Sequence, residues 1–134
     1  MLCWALAFLG PTELTRARNY EITPHKVWLK DEALPCLDRN IPIAASDVLV
    51  AHLATRRWIS DPDLLEEKPS GDPVACVVTD LSKDMDNWPL GIGGTGQLRS
   101  SLPQRGYHEA YRCGEFVVHE RGQAGCLRCT PKCY

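Results

Sequence analysis

The chain is 134 residues long, 44% apolar and 24% charged, which fits one folded domain and excludes general disorder. Its formal net charge of −2 excludes a polyanion partner drawn in by bulk charge alone. Seven cysteines fall below the density that marks a disulfide scaffold, and their odd number would leave one thiol over after full pairing.

Met1–Gly10 (MLCWALAFLG) is apolar, but it has no basic stretch ahead of its short apolar run, and Pro11 follows at once. It reads as a buried strand or helical turn, so the expected location is intracellular and cytoplasmic, with secretion the alternative. A reducing compartment tilts clustered cysteines toward metal and away from disulfide. Thr12–Tyr20 is polar enough for a short helix. Lys26–Leu29 (KVWL) reads as a short β-type run beyond Pro24, and Pro35 and Pro42 make residues 33–43 extended or looped.

The clearest helix covers 46–59. Ser46 is a good N-cap, Asp47 sits in the first turn, and Leu49 with Leu53, like Val50 with Ala54 and Trp58, repeats at four-residue spacing. His52, among these apolar residues, is expected at the core or its boundary. Asp61-Pro62 opens a second, shorter helix over 61–68, with proline at the first helical position and Glu66 and Glu67 on a solvated face.

Val74–Thr79 (VACVVT) is the strongest strand signal. Its uninterrupted β-branched run implies burial on both faces, with Cys76 a small core residue and Asp80 the polar residue that ends the strand. Gly91–Gly96 (GIGGTG) formally matches G-x-G-x-x-G, but Asn87-Trp88-Pro89-Leu90 precedes it where a strand should lead in directly. The segment reads as a flexible loop.

Asp72–Leu90 (DPVACVVTDLSKDMDNWPL) bears a short resemblance to the central strand and following loop of response-regulator receiver domains. The resemblance implies that Asp80 accepts a phosphoryl group and that an acidic pair on an earlier strand holds Mg²⁺. Only Asp38 and Asp47 are available for that pair. The family also ends two later strands with Thr/Ser and Lys, where Tyr107 and Glu120 or Arg121 fall here.

Chemistry concentrates in the last residues, where Cys113, Cys126, Cys129 and Cys133 are spaced C-x12-C-x2-C-x3-C. Cys126 and Cys129 have the spacing of a metal knuckle, in which two thiolates grip one ion. A hairpin near 113–129, built on the strand-like Glu115–His119 (EFVVH) and a turn at Glu120–Gln123, would return Cys113 to that knuckle. The stretch loosely resembles zinc ribbons, but its first knuckle carries one cysteine where the family has two. The fourth ligand of a tetrahedral Zn²⁺ would come from His108 or Cys133, with His119 placed to point away. Without a carboxylate ligand such a site is structural. Disulfides are the competing reading.

Charge is uneven along the chain. Residues 61–86 carry Asp61, Asp63, Glu66, Glu67, Asp72, Asp80, Asp84 and Asp86, whereas 97–134 carry Arg99, Arg105, Arg112, Arg121, Arg128 and Lys132. No G-x-S-x-G, H-E-x-x-H or P-loop lysine is present. A Cys/His dyad from Cys36 or Cys76 with His25 or His52 stays open, because spatial neighbours are invisible in sequence.

The expectation is a small α+β single domain over 1–134 with two short helices, a buried central strand and a C-terminal cysteine-rich hairpin, 105–134 forming a zinc-ribbon-like subdomain. Its function reads as a non-enzymatic, zinc-stabilised binding module that contacts nucleic acid or protein through the basic C-terminal region, with Tyr107 or Tyr111 stacking on a base. One alternative is a receiver-like phospho-acceptor or small nucleotide-binding enzyme around Asp80 and Gly91–Gly96. The other is a chain with no defined activity.

Overall fold

The computed structural model describes residues 21–53, 59–60, 66–67, 72–85, 87 and 90–134. Thr23 caps the first of these elements. Its side-chain oxygen accepts the Lys26 N–H at 3.3 Å, and Pro24 takes the first helical position, where a missing N–H costs nothing. The helix, α1 (Pro24–Trp28), widens into a π turn over Leu29–Ala33 and tightens into a 3-10 turn over Leu34–Cys36. Trp28, Leu29, Ala33 and Leu34 are buried along it and join the larger apolar core. KVWL is therefore helical, not β-type, because the Thr23-Pro24 start outweighs the weak strand preference of four residues.

The chain then forms β1 (Ile43–Ala45), α2 (Asp47–Leu53), β2 (Ile59–Ser60), β3 (Glu66–Glu67), β4 (Asp72–Pro73), β5 (Cys76–Asp80), α3 (Gly91–Ser101), β6 (Tyr107–Cys113) and β7 (Phe116–Arg121). Five strands make one mixed sheet in the order β2-β1-β5-β7-β6, and β3 pairs with β4 apart from it. β1 runs parallel to β2 and β5, whereas β7 is antiparallel to β5 and β6. The small α+β single domain is thus what the chain forms.

β5 is buried at every position, as its unbroken apolar run implies. Its residues alternate between two cores. Cys76 and Val78 face Ile43, Ala45, Leu49, Leu53, Phe116 and the α1 side chains, while Val77 faces Ala44, Leu98, Leu102 and Tyr107. α1 and α2 therefore cover one face of the sheet and α3 the other. Leu49 and Leu53 are buried as their spacing requires, and His52 is exposed, not a core residue. α2 is described over Asp47–Leu53, and 54–58 of the expected 46–59 helix lie outside the described residues. Of the second expected helix, Glu66–Glu67 lies in a strand pair with Asp72–Pro73, and 61–65 and 68 lie outside the described residues, as do the elements expected before residue 21.

The expected glycine loop is instead α3, where Thr95 and Leu98 bury at three-residue spacing and Leu102 follows four residues on. Gly91, at φ +68°, needs its glycine, and a Cβ on Gly94 would sit 3.0 Å from the Leu90 Cβ. Around Gly93 and Gly96 there is open space. The Gly93→Ala/Gly96→Ala double variant is expected to stabilise the fold by about 1–2 kcal/mol through helix propensity alone. A urea midpoint that falls, or does not move, would show that these glycines serve packing.

Six cysteines are paired: Cys36–Cys129, Cys76–Cys126 and Cys113–Cys133, with Cα–Cα distances of 5.0, 5.9 and 5.5 Å. The segment after β7 folds back and lies against the chain that follows the Leu34–Cys36 turn. Leu37 bridges Leu127, the Asp38 N–H donates to the Cys126 carbonyl, and the Arg128 N–H donates to that of Cys36. That short ladder sets Cys129 beside Cys36 and Cys126 beside Cys76. The hairpin spans Tyr107–Arg121 in place of 113–129, with β6 bulged between Glu109 and Tyr111.

Candidate functional site

The zinc reading is overturned by this pairing. Cys113 and Cys133 bond each other, Cys126 bonds Cys76 on β5, and Cys129 bonds Cys36 at the end of α1, so the four thiols do not converge on one point. His108 stands on the exposed side of β6, 3.1 Å from the Glu120 carboxylate. Among the described residues no group of three or more His, Cys, Asp or Glu could hold a metal ion. Cys76 is buried as expected, but as half of a cross-link. Both thiols offered for a Cys/His dyad, Cys36 and Cys76, are taken up in disulfides as well.

The basic side chains of the C-terminal region are partly neutralised within the fold. Arg112 forks onto Glu109 at 2.9 and 2.7 Å, Arg99 reaches Glu115, and the Arg128 Nε donates to the Pro35 carbonyl. Tyr107 is buried with its hydroxyl donating to the Val74 carbonyl, and Tyr111 is half-buried with its hydroxyl donating to that of Pro131.

The most distinctive polar arrangement lies at the carboxyl end of β5. Asp80, fully buried, accepts from the His25 Nε2 at 2.6 Å and from the Ser82 backbone N–H at 2.9 Å. The other ring nitrogen of His25, Nδ1, lies 2.7 Å from the Tyr134 hydroxyl. Ser82 Oγ stands 3.1 Å from Nε2, the nitrogen already directed at Asp80. Thr23 donates its hydroxyl to Asp84, which ties the start of α1 to the loop after β5. The sequence supplied Asp80 as a strand end and His25 only as a possible dyad base for Cys36 or Cys76. Their meeting needs α1 to pack over the end of β5, which no local signal encodes.

The surroundings favour the charged form of each partner. Burial by itself would lower the His25 pKa, but the hydrogen bond and the charge of Asp80, helped by Asp84, outweigh it and raise the value above the ordinary 6.5. Burial would raise that of Asp80, yet hydrogen bonds from His25 and Ser82 and the charge of His25 hold it below the ordinary 3.8. The buried carboxylate is thereby engaged and closed to a phosphodonor. The sheet is also mixed, not the parallel one the receiver resemblance implies, so that expectation falls.

Among the described residues, buried polar atoms without a hydrogen-bond partner include Ser46 Oγ just after β1, Asn87 Oδ1 in the β5–α3 connection, and Thr95 Oγ1 early in α3. Ser46 holds the N-cap place expected of it, its carbonyl accepting the Val50 N–H, but its hydroxyl makes no cap. Nearby, the Arg99 Nε donates to Thr79 Oγ1 at 2.9 Å. An open depression of about 700 Å³ follows α3 from Leu81 past Gly93, Gly96, Arg99 and Ser100 to Gln104.

Farther along β7, His119 is buried with Nδ1 also unpartnered, and burial depresses its pKa, Arg99 and Arg112 adding to the effect against Glu109. The chain matches no protein-family model, no curated protein and no solved structure.

Proposed function

We propose that this domain works in an oxidising compartment as a binding domain and holds a small polar ligand at the carboxyl ends of β1 and β5. What carries the reading is the direction of the two connections. The chain leaves β1 through α2 on one face and β5 through α3 on the other, and in open α/β sheets ligands settle in the crevice where adjacent parallel strands diverge in this way. Ser46 follows β1, Asn87 lies in the connection after β5 and Thr95 is in α3, and each buried unpartnered polar atom costs about 1–3 kcal/mol. A ligand offering matching donors and acceptors would offset that cost.

The compartment follows from the cross-links. Cytosolic thiols are kept reduced, so three disulfides within one small domain favour an extracytoplasmic setting. Among the described residues no helix is long and apolar enough to cross a membrane. The basic C-terminal segment is the second candidate surface, for protein or nucleic acid. Its Arg112–Glu109 and Arg99–Glu115 pairs weaken the field it presents, so the crevice ranks ahead.

Titration of ¹⁵N-labelled protein with glycerol, glucose, acetate and inorganic phosphate tests the crevice. Saturable amide shifts confined to Ser46, Asn87, Thr95 and their neighbours support it, and Ser46→Ala/Thr95→Val should abolish them. If none of the probes moves those amides, or the shifts centre on Arg105, Arg121 and Lys132, the basic surface takes its place.

A further inference from the structure

We infer that Tyr134 is a primed nucleophile for acyl transfer from activated esters, with His25 as its general base and Asp80 as the positioning residue that aims the imidazole. The inference stands apart from the crevice, since it draws on none of Ser46, Asn87 and Thr95. Three groups form one relay: the Tyr134 hydroxyl 2.7 Å from His25 Nδ1, and His25 Nε2 2.6 Å from Asp80 Oδ2. With its Nε2–H directed at a buried carboxylate, neutral His25 presents the Nδ1 lone pair to the phenol. That is the hydroxyl–imidazole–carboxylate order of nucleophilic hydrolases, with a phenol in the place of the alcohol.

Accessibility runs the right way. Tyr134 is 71% exposed, whereas His25 and Asp80 are buried, so the nucleophile's side chain is open to solvent while its base is covered. The tyrosine is also held. Its ring packs on Trp28 at 5.3 Å and His25 at 5.6 Å, the preceding Cys133 is bonded to Cys113, and the Trp28 Nε1–H donates to the Lys132 carbonyl at 2.6 Å. Ser82 does not compete for the role. Its hydroxyl meets Nε2, which already carries the proton given to Asp80, so that nitrogen has no lone pair to offer. Tyr107 and Tyr111 donate to backbone carbonyls and have no base at all, which makes them controls within the same molecule.

In the step, Tyr134 Oη attacks the ester carbonyl carbon as its proton passes to His25 Nδ1. The tetrahedral adduct collapses, the bond to the leaving oxygen breaks, and the acyl group stays on Oη. His25 then returns its proton to the departing alkoxide or to water. Burial and the charges of Asp80 and Asp84 raise the Tyr134 pKa, so the phenol enters protonated and needs the base. Asp80 and Asp84 raise the pKa of His25 against burial and Lys26, so the rate should climb as pH passes through that raised value above 6.5 and then level off.

The test treats the full oxidised chain with p-nitrophenyl acetate and locates acetyl groups by peptide mapping. Tyr134 should be acetylated about a hundredfold faster than Tyr111, the scale of general-base assistance, with one nitrophenolate released per acetyl group gained. His25→Gln should remove that advantage. Because His25 is buried, the pH–rate profile of the unaltered chain provides a readout independent of any variant's folding. Equal labelling of Tyr134 and Tyr111, stable acetylation of His25, or a rate that rises only with ionisation of the phenol would each overturn the inference.

Discussion

Replacing Cys76 and Cys126 together by alanine is expected to destabilise the domain by about 3–5 kcal/mol, a large share of the roughly 5–15 kcal/mol that holds a domain of this size. The bridge closes a loop of sequence separation 50, for which unfolded-chain entropy alone gives about 4 kcal/mol. Packing adds to that, because both cysteines are 2% exposed and join Val78, Phe116 and Val118 in the larger core. Cys36–Cys129 closes a longer loop, but Cys129 is exposed, so it has less packing to lose and meets reductant first. Stepwise reduction under native conditions, followed by alkylation and mass mapping, should release Cys36–Cys129 before Cys76–Cys126. Urea unfolding of the double variant measures the energy. A loss under about 1 kcal/mol, or alkylation of Cys76 in unreduced protein, would show that this bridge does not fasten the fold.

The bridges also explain which features could be read from sequence. The buried strand expected at Val74–Thr79 and the Leu49/Leu53 stripe are local patterns, and both appear, the strand shifted to Cys76–Asp80. Helix α1 was legible too. Thr23-Pro24 is the same N-cap-and-proline signal that was credited at Asp61-Pro62, but a four-residue β-type run obscured it. In α3 the spacing of Thr95, Leu98 and Leu102 carried a helix signal that four glycines masked.

Two of the three cysteine pairings reach outside the terminal cluster. Cys36 and Cys76 lie far from the terminal cluster in sequence, and only the sheet order and the return of 126–129 along 36–38 make them its partners. The apolar Met1–Gly10 segment pulled the redox inference toward a reducing compartment, and zinc followed from that premise. The His25–Asp80–Tyr134 relay was hidden for the same reason. Its members come from the first described helix, the central strand and the last residue, with separations of 55 and 109.

Substituting Asp80 by alanine is expected to cost about 3–5 kcal/mol, because it strands a buried histidine without its counter-charge. Asp80→Asn, which can still accept from Nε2, should cost less, and His25→Leu/Asp80→Leu should recover part of the loss by removing both polar groups. The pH dependence separates this from simple cavity formation. The raised His25 pKa means that its contribution is fully present below the ordinary 6.5 and is lost as pH rises through the folded value. The lowered Asp80 pKa means that its contribution is present above the ordinary 3.8 and is lost as pH falls through the folded value. His119 runs opposite to His25. Its pKa is depressed, so stability is lost as pH falls from 6.5 through the folded value. The unaltered domain should therefore weaken on both sides of about pH 6.5, on the alkaline side through His25 and on the acid side through His119. Asp80→Asn removes the attraction that raises His25, and the alkaline decline should disappear with it while the acid limb from His119 remains. Urea unfolding from pH 5 to 9 reads both limbs, and an alkaline decline that survives in Asp80→Asn would mean that the pair is not charged in the folded protein.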